Sequence, residues 1–487
     1  MADQNQDQDY EERQLHIVMV PWLAFGHLIP FLELSKCLAQ KGHRISFIST
    51  PRNLQRLPKI PPNLSNPHLL NFISFPLPQD NNLPAQAEAT IDLPVDQVPY
   101  LKKAYDGLEG PVSSFLETST PDWIIYDFAS HWLPSIASRL GVPCVFFSIF
   151  NASVNCFFGT PWDLLANDVD LSRMKPEHFT VPPKWIPFPS NLAFRKYEIL
   201  KVFSGVEVNV SGVSDTYRYA TAIQGCEVVA IRSCLEFESE WLGLLEEKLF
   251  QKHIIPVGLL PPLAPVQDEI EEDKYEEWVG ISEWLDKQEK GSVVYIALGT
   301  EAALSREETT ELALGLELSE LPFFWVLRKP AGSSTDHQDP SVLLPDGFQE
   351  RTKGRGFVCM SWAPQLRILG HPSVGGFLTH CGWSSIIEGL ALGCPLILLP
   401  VIHDQALNSR ILEWKKIGLE IERDEEDGLF TKESVAKSLR TVVVEEEGEM
   451  FRAKVRELRG VFGDKERHDR YVGDFARYLK ENRRGMN

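Results

Sequence analysis

The stretch from Trp362 to Gln405 reads WAPQLRILGHPSVGGFLTHCGWSSIIEGLALGCPLILLPVIHDQ. It contains two short apolar runs, at 376–379 and 396–399, that are typical of buried strands. Between them a Gly-containing turn leads into an apolar helix over 385–392. Because a strand, a helix and a second strand in this order build a parallel sheet, the stretch predicts an α/β fold.

The same alternation of short apolar runs and helical patterns extends in both directions from this stretch. It predicts buried strands at 15–20, 44–49, 123–126, 143–149, 292–298, 323–327, 356–360, 376–379 and 396–399. The pattern restarts after a Pro-rich and then acidic stretch, which indicates two doubly wound domains. The length of 487 residues agrees with this division, because it exceeds the size of one ordinary core.

The predicted organisation has five parts: a disordered tail (1–14), an N-terminal domain (15–255), a linker (256–280), a C-terminal domain (281–460) and a terminal helix (461–487). The tail is polar and acidic and lacks the apolar run of a signal peptide. The terminal helix has an apolar stripe, which packs either back on the N-terminal domain or on the C-terminal domain: Val472, Phe475 and Leu479. The segment PPKWIPFPSNLAFRKY (182–197) either walls a binding pocket or covers a sheet edge.

Composition and residue spacing argue against several classes of function. The chain has 68 acidic and 48 basic residues, and its net charge of -20 repels nucleic acid and anionic membranes. No stretch approaches the roughly 18 uninterrupted apolar residues of a membrane span. The eight cysteines form no C-x-x-C pair and the 12 histidines form no H-x-x-x-H pair. We therefore expect a cytoplasmic protein with reduced thiols and no metal site, which neither binds nucleic acid nor inserts stably into membranes. A monomer is expected as well, although no feature of the sequence determines the oligomeric state.

Two polar residues follow predicted strands of the first half. His27 opens the helix after the first strand, and Asp127 ends the strand at 123–126. Because the carboxyl ends of parallel strands meet at one edge of a sheet, we expect both side chains there. A carboxylate that bonds one imidazole nitrogen fixes the tautomer and stabilises the imidazolium, which suits a general base. The structural alternatives are a His at a helix start and an Asp that caps a helix.

The opening stretch also contains groups that suit a nucleotide. The turn from His380 to Ser385 leads into a helix whose first N–H groups and positive dipole end are suited to a diphosphate. Glu388 lies on the same predicted helix.

The stretch resembles the signature box of the plant secondary-product glycosyltransferases of family 1, which transfer sugar from UDP. The Trp, Pro-Gln, His, Gly-x-Phe, His-Cys-Gly-Trp, Ser, Glu, Gly-x-Pro, Pro and Asp-Gln positions all occur at the family's spacing. The Gly-His-x-x-Pro setting of His27 and the Pro-Asp-x-x-x-x-Asp setting of Asp127 match as well, so the resemblance implies a catalytic pair. It implies a GT-B fold, in which two Rossmann-like domains face each other across a cleft. The N-terminal domain then binds the acceptor, and the C-terminal domain binds the UDP-sugar.

The resemblance also implies roles for individual donor-site residues. Trp362 is expected to stack on uracil, and the Ala363 backbone to bond the base edge. Gln365 and Glu388 are expected on the ribose hydroxyls. The remaining donor-binding candidates follow the phosphates and the sugar: Thr300, His380, Gly382, Trp383, Ser384, Ser385, Asp404 and Gln405.

Two positions bear on the donor sugar. Ser384 departs from the Asn found in many members of the family, which leaves that contact open. The closing Gln405 favours UDP-glucose as the co-substrate, and no further cofactor or metal is expected.

The acceptor is less constrained. Four stretches resemble the subgroup that adds sugar to an existing terpenoid or flavonoid glycoside: PWLAFGH (21–27), PDWIIYD (121–127), PPKWIPFP (182–189) and ALGTE (297–301). The leading prediction is therefore inverting transfer of glucose to a sugar hydroxyl of such a glycoside. The alternatives are the same chemistry on an aglycone hydroxyl, including xenobiotics, and a non-catalytic UDP-sugar-binding protein. The acceptor-lining candidates are Trp22, Phe25 and Phe128.

Overall fold

The computed structural model describes residues 14–166, 175–261, 272–299, 304–328, 342–361 and 363–483. Within these ranges the chain forms two compact units, each built on one parallel sheet. The first unit takes residues up to 174, 205–260 and 465 onward, and the second takes 175–204 and 261–464. Both units are therefore discontinuous in sequence.

The sheet of the first unit has a strand order that reverses near its centre. Its strands are β1 (His16–Val20), β2 (Arg44–Ser49), β3 (Leu70–Ser74), β4 (Trp123–Tyr126), β5 (Cys144–Ser148), β6 (Val228–Ile231) and β7 (Ile254–Pro256). They lie in the order β3-β2-β1-β4-β5-β6-β7, and neighbouring strands run parallel. The order reverses between β1 and β4, so the carboxyl ends of these strands form the switch point at which such sheets bind ligands.

The sheet of the second unit repeats this plan. Its strands are β8 (Val293–Ala297), β9 (Phe323–Val326), β10 (Gly356–Cys359), β11 (Val374–Thr379), β12 (Leu396–Leu398) and β13 (Gly418–Glu420). They lie in the order β10-β9-β8-β11-β12-β13, again with parallel neighbours. The switch point of this sheet lies between β8 and β11.

Helices follow most strands, and we number them along the whole chain. In the first unit they are α1 (Phe25–Gln40), α2 (Pro51–Arg56), α3 (Val98–Asp106), α4 (Glu109–Ser119), α5 (Leu133–Leu140), α6 (Ala152–Phe158), α7 (Pro161–Leu165), α9 (Asp215–Gln224), α10 (Leu235–Leu244) and α19 (Lys465–Glu481). In the second unit they are α8 (Lys196–Val202), α11 (Glu272–Asp286), α12 (Arg306–Ser319), α13 (Phe348–Arg351), α14 (Gln365–Leu369), α15 (Trp383–Leu392), α16 (Gln405–Trp414), α17 (Lys432–Val443) and α18 (Glu449–Phe462).

The terminal helix α19 belongs to the core of the first unit. Val472, Phe475 and Leu479 are fully buried there, beside the side chains of α1 and of the central strands. The indole Nε1 of Trp123 donates to the Leu479 carbonyl at 2.8 Å, which fixes the helix beneath β4. The apolar stripe read from the sequence is thus part of the first core.

The nine predicted strands are confirmed, with ends that differ by at most two residues. Four further strands, β3, β6, β7 and β13, were not predicted. The predicted linker (256–280) is heterogeneous: Val257 and Leu259 are fully buried in the first unit, 262–271 lie outside the described residues, and α11 begins at Glu272. Residues 1–13 of the predicted tail also lie outside the described part.

Two further properties concern the whole described chain. All eight cysteines carry free thiols, and all except Cys37 are buried. Among the described residues, no helix combines the length and apolarity that crossing a membrane requires.

Candidate active site

The structure brings His27 and Asp127 together at the switch point of the first sheet. His27 is the third residue of α1, and Asp127 directly follows β4. The imidazole Nδ1 lies 2.8 Å from Asp127 Oδ2, and the two side chains are 12% and 3% exposed. A carboxylate only accepts hydrogen bonds, so Nδ1 carries the proton and Nε2 is the basic nitrogen. The pair therefore has the arrangement of a general base and its orienting carboxylate.

Backbone N–H groups hold the Asp127 carboxylate in place. Oδ2 also accepts from the Trp22 backbone N–H at 2.7 Å, and Oδ1 accepts from the Ala129 N–H at 3.1 Å. The Ala129 bond closes a short turn after β4. Asp127 does not cap a helix, because α5 begins at Leu133 and has Trp132 as its N-cap, so the structural alternative for this residue is not formed.

Aromatic rings surround His27 on the same edge of the sheet. The ring centroids of Phe128 and Phe150 lie 5.6 Å and 6.3 Å from that of His27. Trp22 is only 3% exposed, and its ring packs edge-on against Tyr105 and Phe128. Phe25 is half-buried in the first turn of α1. Phe150 was missed, although it follows the end of β5 as Asp127 follows the end of β4.

In the second unit, His380 occupies a narrow space at the switch point. Its ring lies against Gly299, which follows β8, and against Gly382: a Cβ at either position would come within 2.6 Å of His380 Nε2. Gly299 has φ +78° and Cys381 φ +67°, so the chain turns sharply after both β8 and β11. Burial lowers the pKa of His380 to about 4, so the imidazole is neutral near pH 7. Among the described residues, its buried Nδ1 has no well-aligned hydrogen-bond partner, although the Ala297 backbone lies nearby.

The N-terminus of α15 is suited to an anion. Its N-cap, Gly382, supplies no side-chain cap, and the first turn has no acidic residue. Ser384 and Ser385 are half-buried in this turn. Trp383 is 5% exposed and its ring packs edge-on against Phe462, so only its backbone is suited to ligand contact. Backbone N–H groups and the helix dipole can therefore hold a diphosphate here.

A hydrogen-bonded chain positions Glu388. The Gln365 amide donates to Glu388 Oε2 at 2.5 Å, and the Tyr295 hydroxyl donates to Gln365 Oε1 at 3.2 Å. Burial and the nearby Glu388 carboxylate strongly raise the pKa of Tyr295, so its hydroxyl remains a neutral donor. The two predicted ribose-binding residues thus lie together. Tyr295 was missed because it lies inside an apolar strand.

The side chains of Asp404 and Gln405 are already engaged at the start of α16. Asp404 Oδ2 accepts from the Asn408 amide at 2.8 Å, and the same amide donates to the Cys381 carbonyl at 3.0 Å. Gln405 Oε1 accepts from the Val401 and Ile402 N–H groups, each at 3.0 Å. Asp404 occupies the N-cap position of α16 but makes no side-chain cap there. These bonds fix the turn and use only the oxygen of the Gln405 amide. The NH₂ group of the same amide is then the group suited to donate a hydrogen bond to a ligand.

The remaining donor-site candidates are only partly covered by the structure. Thr300 and Trp362 lie outside the described residues. Ala363 is half-buried and lies two residues before the start of α14. Within the described ranges, no group of three or more His, Cys, Asp or Glu side chains is arranged to hold a metal ion.

Comparison with known proteins identifies the family. Residues 276–466 match the family described as UDP-glucoronosyl and UDP-glucosyl transferase. UDP-glycosyltransferase 91C1 of Arabidopsis thaliana is 50% identical over 472 residues, which span 97% of this chain and 98% of that protein. The chain belongs to the UDP-glycosyltransferase family. It is therefore a glycosyltransferase, as the sequence predicted.

Two further comparisons describe the relatives of this glycosyltransferase. Soyasaponin III rhamnosyltransferase of Glycine max is 42% identical over 472 residues, which cover 97% of each chain. The crystal structure of Glycyrrhiza uralensis UGT73P12, complexed with glycyrrhetinic acid 3-O-monoglucuronide, superposes with a TM-score of 0.74 at 20% identity and covers 96% of each chain. This likeness confirms the predicted GT-B fold of the glycosyltransferase. The roles of its individual site residues stay predictions.

Proposed function

We propose that this glycosyltransferase moves glucose from UDP-glucose to a hydroxyl group of a small-molecule glycoside, with inversion at the anomeric carbon. The observation that carries the proposal is the 2.8 Å contact between His27 Nδ1 and Asp127 Oδ2 at the switch point of the first sheet. A base built in this way is suited to remove a proton from an alcohol.

The proposed reaction is a single displacement. The acceptor hydroxyl gives its proton to His27 Nε2 while its oxygen bonds the anomeric carbon. The bond from that carbon to the UDP oxygen breaks, and UDP leaves with the bonding electron pair. Asp127 stabilises the imidazolium that forms. Because the attack comes from the face opposite the leaving group, an α-linked donor gives a β-linked product.

The second unit is proposed to bind the donor. The uncapped N-terminus of α15 and the neutral His380 support a site for the diphosphate, which is stabilised there by fixed N–H groups. The Gln365–Glu388 pair supports a site for the ribose, and the Asp404–Gln405 turn a site for the sugar. We propose that the leaving group needs no metal ion, because the N–H groups and dipole at the start of α15 can stabilise the charge that develops on the diphosphate.

Two points of specificity depend on comparison and sequence. Glucose is the proposed donor sugar because Gln405 closes the signature box. UDP-rhamnose is the second candidate, since the Glycine max relative is named a rhamnosyltransferase. A glycoside is the proposed acceptor, because that relative's name pairs sugar transfer with a saponin, and Phe128 and Phe150 provide aromatic surface beside His27. An aglycone acceptor is the alternative.

The decisive experiment measures UDP release by wild type, by His27→Ala and by a control variant, His68→Ala, which replaces an exposed histidine of the same unit. The assay compares UDP-glucose with UDP-rhamnose, and an aglycone with its monoglucoside. Loss of the base should lower turnover about 10²- to 10⁴-fold, which is about 3–5 kcal/mol of barrier, while His68→Ala keeps wild-type turnover. Wild-type turnover by His27→Ala would refute the base assignment. Turnover of the aglycone alone would refute the glycoside assignment.

A further inference from the structure

The segment 175–204 leaves the sequence of the first unit and belongs to the second. It includes the Pro-rich stretch at 182–197, for which the sequence left two roles open. The residues Arg195–Glu198, where this stretch ends and α8 begins, contact the edge strand β13 and the helix α16. This end of the stretch therefore covers a sheet edge, and it does so with charged side chains.

Four charged residues form one network at this edge. Arg195 Nη1 lies 2.5 Å from Glu420 Oε1. Arg410 Nη2 contacts both Glu198 oxygens, at 2.8 Å and 3.0 Å, and Arg410 Nη1 bonds Glu420 Oε2. The Glu420 side chain is 1% exposed, and those of Glu198 and Arg410 are 7% exposed. Two positive and two negative charges alternate, so each buried charge depends on its neighbours.

The network holds the helix that begins with the Asp404–Gln405 turn. Arg410 lies in the second turn of α16, and the adjacent Ser409 hydroxyl bonds Glu420. Two residues before Arg410, Asn408 holds the Asp404 carboxylate. The rotation and height of α16, and with them the position of Asp404, are therefore set by contacts that include Glu198.

A second path leads from the same segment to the loop before α16. The Tyr197 ring lies directly on Gly428, where a Cβ would come within 2.4 Å. The Gly428 carbonyl accepts from Arg423 Nη1 at 2.8 Å, and Arg423 Nη2 donates to the Pro400 carbonyl at 2.9 Å. Pro400 lies four residues before Asp404. The loop and the helix on both sides of the turn are thus supported through the segment Arg195–Glu198.

We propose that Arg195–Glu198 is a positioning element for the Asp404–Gln405 turn, so that recognition of the donor sugar depends on the segment 175–204. This inference rests on the proposed function, because it takes the turn to contact the sugar. The proposed contacts to the uracil and the phosphates of UDP involve other elements, namely α14, α15 and the ends of β8 and β11. The Asn408 amide also bonds the Cys381 carbonyl in the proposed phosphate turn. Disturbing the segment should therefore weaken binding of the sugar moiety much more than binding of the UDP moiety.

The test uses the full-length chain and titration calorimetry with UDP and with UDP-glucose. Glu198→Gln removes one charge of the network, and Glu198→Asp keeps the charge but shortens its reach. Lys196→Ala is the matched control, because it removes a charge from the exposed side of the same helix. We expect Glu198→Gln to weaken UDP-glucose about tenfold and UDP less than twofold, as for one lost charged hydrogen bond. Glu198→Asp should fall between, and Lys196→Ala should match wild type.

Equal weakening of UDP and UDP-glucose, or no weakening of either, would overturn the inference. Thermal unfolding of each variant identifies loss of the fold, and if Glu198→Gln does not fold, the result with Glu198→Asp decides. Gln405→Ala separates this inference from the proposed function. If that variant binds UDP-glucose as wild type does, the turn does not contact the sugar and the donor assignment fails. If it weakens UDP-glucose while the Glu198 variants do not, only the positioning role fails.

Discussion

Replacing Asp127 by Asn tests how the candidate base is activated. The carboxylate accepts three hydrogen bonds, two on Oδ2 from the Trp22 N–H and His27 Nδ1, and one on Oδ1 from the Ala129 N–H. An amide offers one oxygen only. If the amide oxygen takes the place of Oδ2, the NH₂ group faces the Ala129 N–H, and two donors meet. If the amide is turned round, the NH₂ group faces the Trp22 N–H and His27 Nδ1. Either way at least one backbone N–H loses its acceptor, and the negative charge beside the imidazole is gone.

The size of the effect follows from the lost charge. A carboxylate and an imidazolium with charge centres about 4 Å apart attract each other by about 4 kcal/mol at an effective dielectric constant of 20. Because this attraction arises only as the imidazole takes the proton, it lowers the barrier and not the energy of the bound substrates. Asp127→Asn should therefore lower kcat by roughly 10³-fold. The buried N–H that loses its partner should also lower the free energy of unfolding by about 1–3 kcal/mol.

Three measurements check this reasoning. Steady-state UDP release gives kcat, calorimetry gives the affinity for UDP-glucose, and thermal unfolding monitors the fold. We expect a large loss of kcat, an unchanged donor affinity and a modest fall in Tm. A variant that keeps more than a tenth of wild-type kcat would show that Asp127 does not activate His27. A loss of donor affinity in proportion to kcat would show that the residue acts through the fold.

Three other changes have defined outcomes. Glu388→Gln removes the charged acceptor to which the Gln365 amide donates. The KM for UDP-glucose should therefore rise at least about tenfold, with kcat little changed. A fall in kcat alone would contradict a contact between Glu388 and the ribose. Gly299→Ala places a Cβ within 2.6 Å of His380 Nε2 at a residue with φ +78°. The affinity for UDP and the Tm should both fall, and the free energy of unfolding should fall by about 1–3 kcal/mol. Calorimetry that finds neither change would contradict the steric argument. Burial lowers the pKa of His43 from 6.5 to about 4. As the pH drops from 6.5 to 4, the unfolded chain therefore binds a proton at this residue before the folded chain does. The free energy of unfolding of wild type should fall by up to about 3 kcal/mol over this range. His43→Gln should therefore lose less Tm than wild type between pH 7 and pH 5, and an equal loss would contradict this.

The parts of the fold that sequence alone predicted are those with a strong local signal. The central strands are buried on both faces, so each reads as a continuous apolar run, as at 123–126. Three missed strands lie at sheet edges and lack that signal: β3 is half-exposed, and β7 and β13 have three residues each. β6 was detectable, because 228–231 reads VVAI and is fully buried.

The candidate site divides in the same way. His27 and Asp127 could be placed together because both follow neighbouring strands of a parallel sheet, and the carboxyl ends of such strands meet at one edge. Tyr295 could not be found, because its role arises from a contact across 70 positions of sequence with Gln365. The same is true of Arg195 and Glu420, whose pairing depends on how a remote segment folds over β13.

The discontinuity of the two units has a consequence for protein engineering. Chimeras that combine halves of two related enzymes are simplest to make with one crossover, near residue 260. Such a recombinant would draw Glu198 from one parent and Arg410 from the other, and it would also separate α19 from its core. Junctions near 174, 204, 260 and 464 keep each unit of one origin. Libraries built on those four breakpoints should yield more folded hybrids than libraries cut only in the middle.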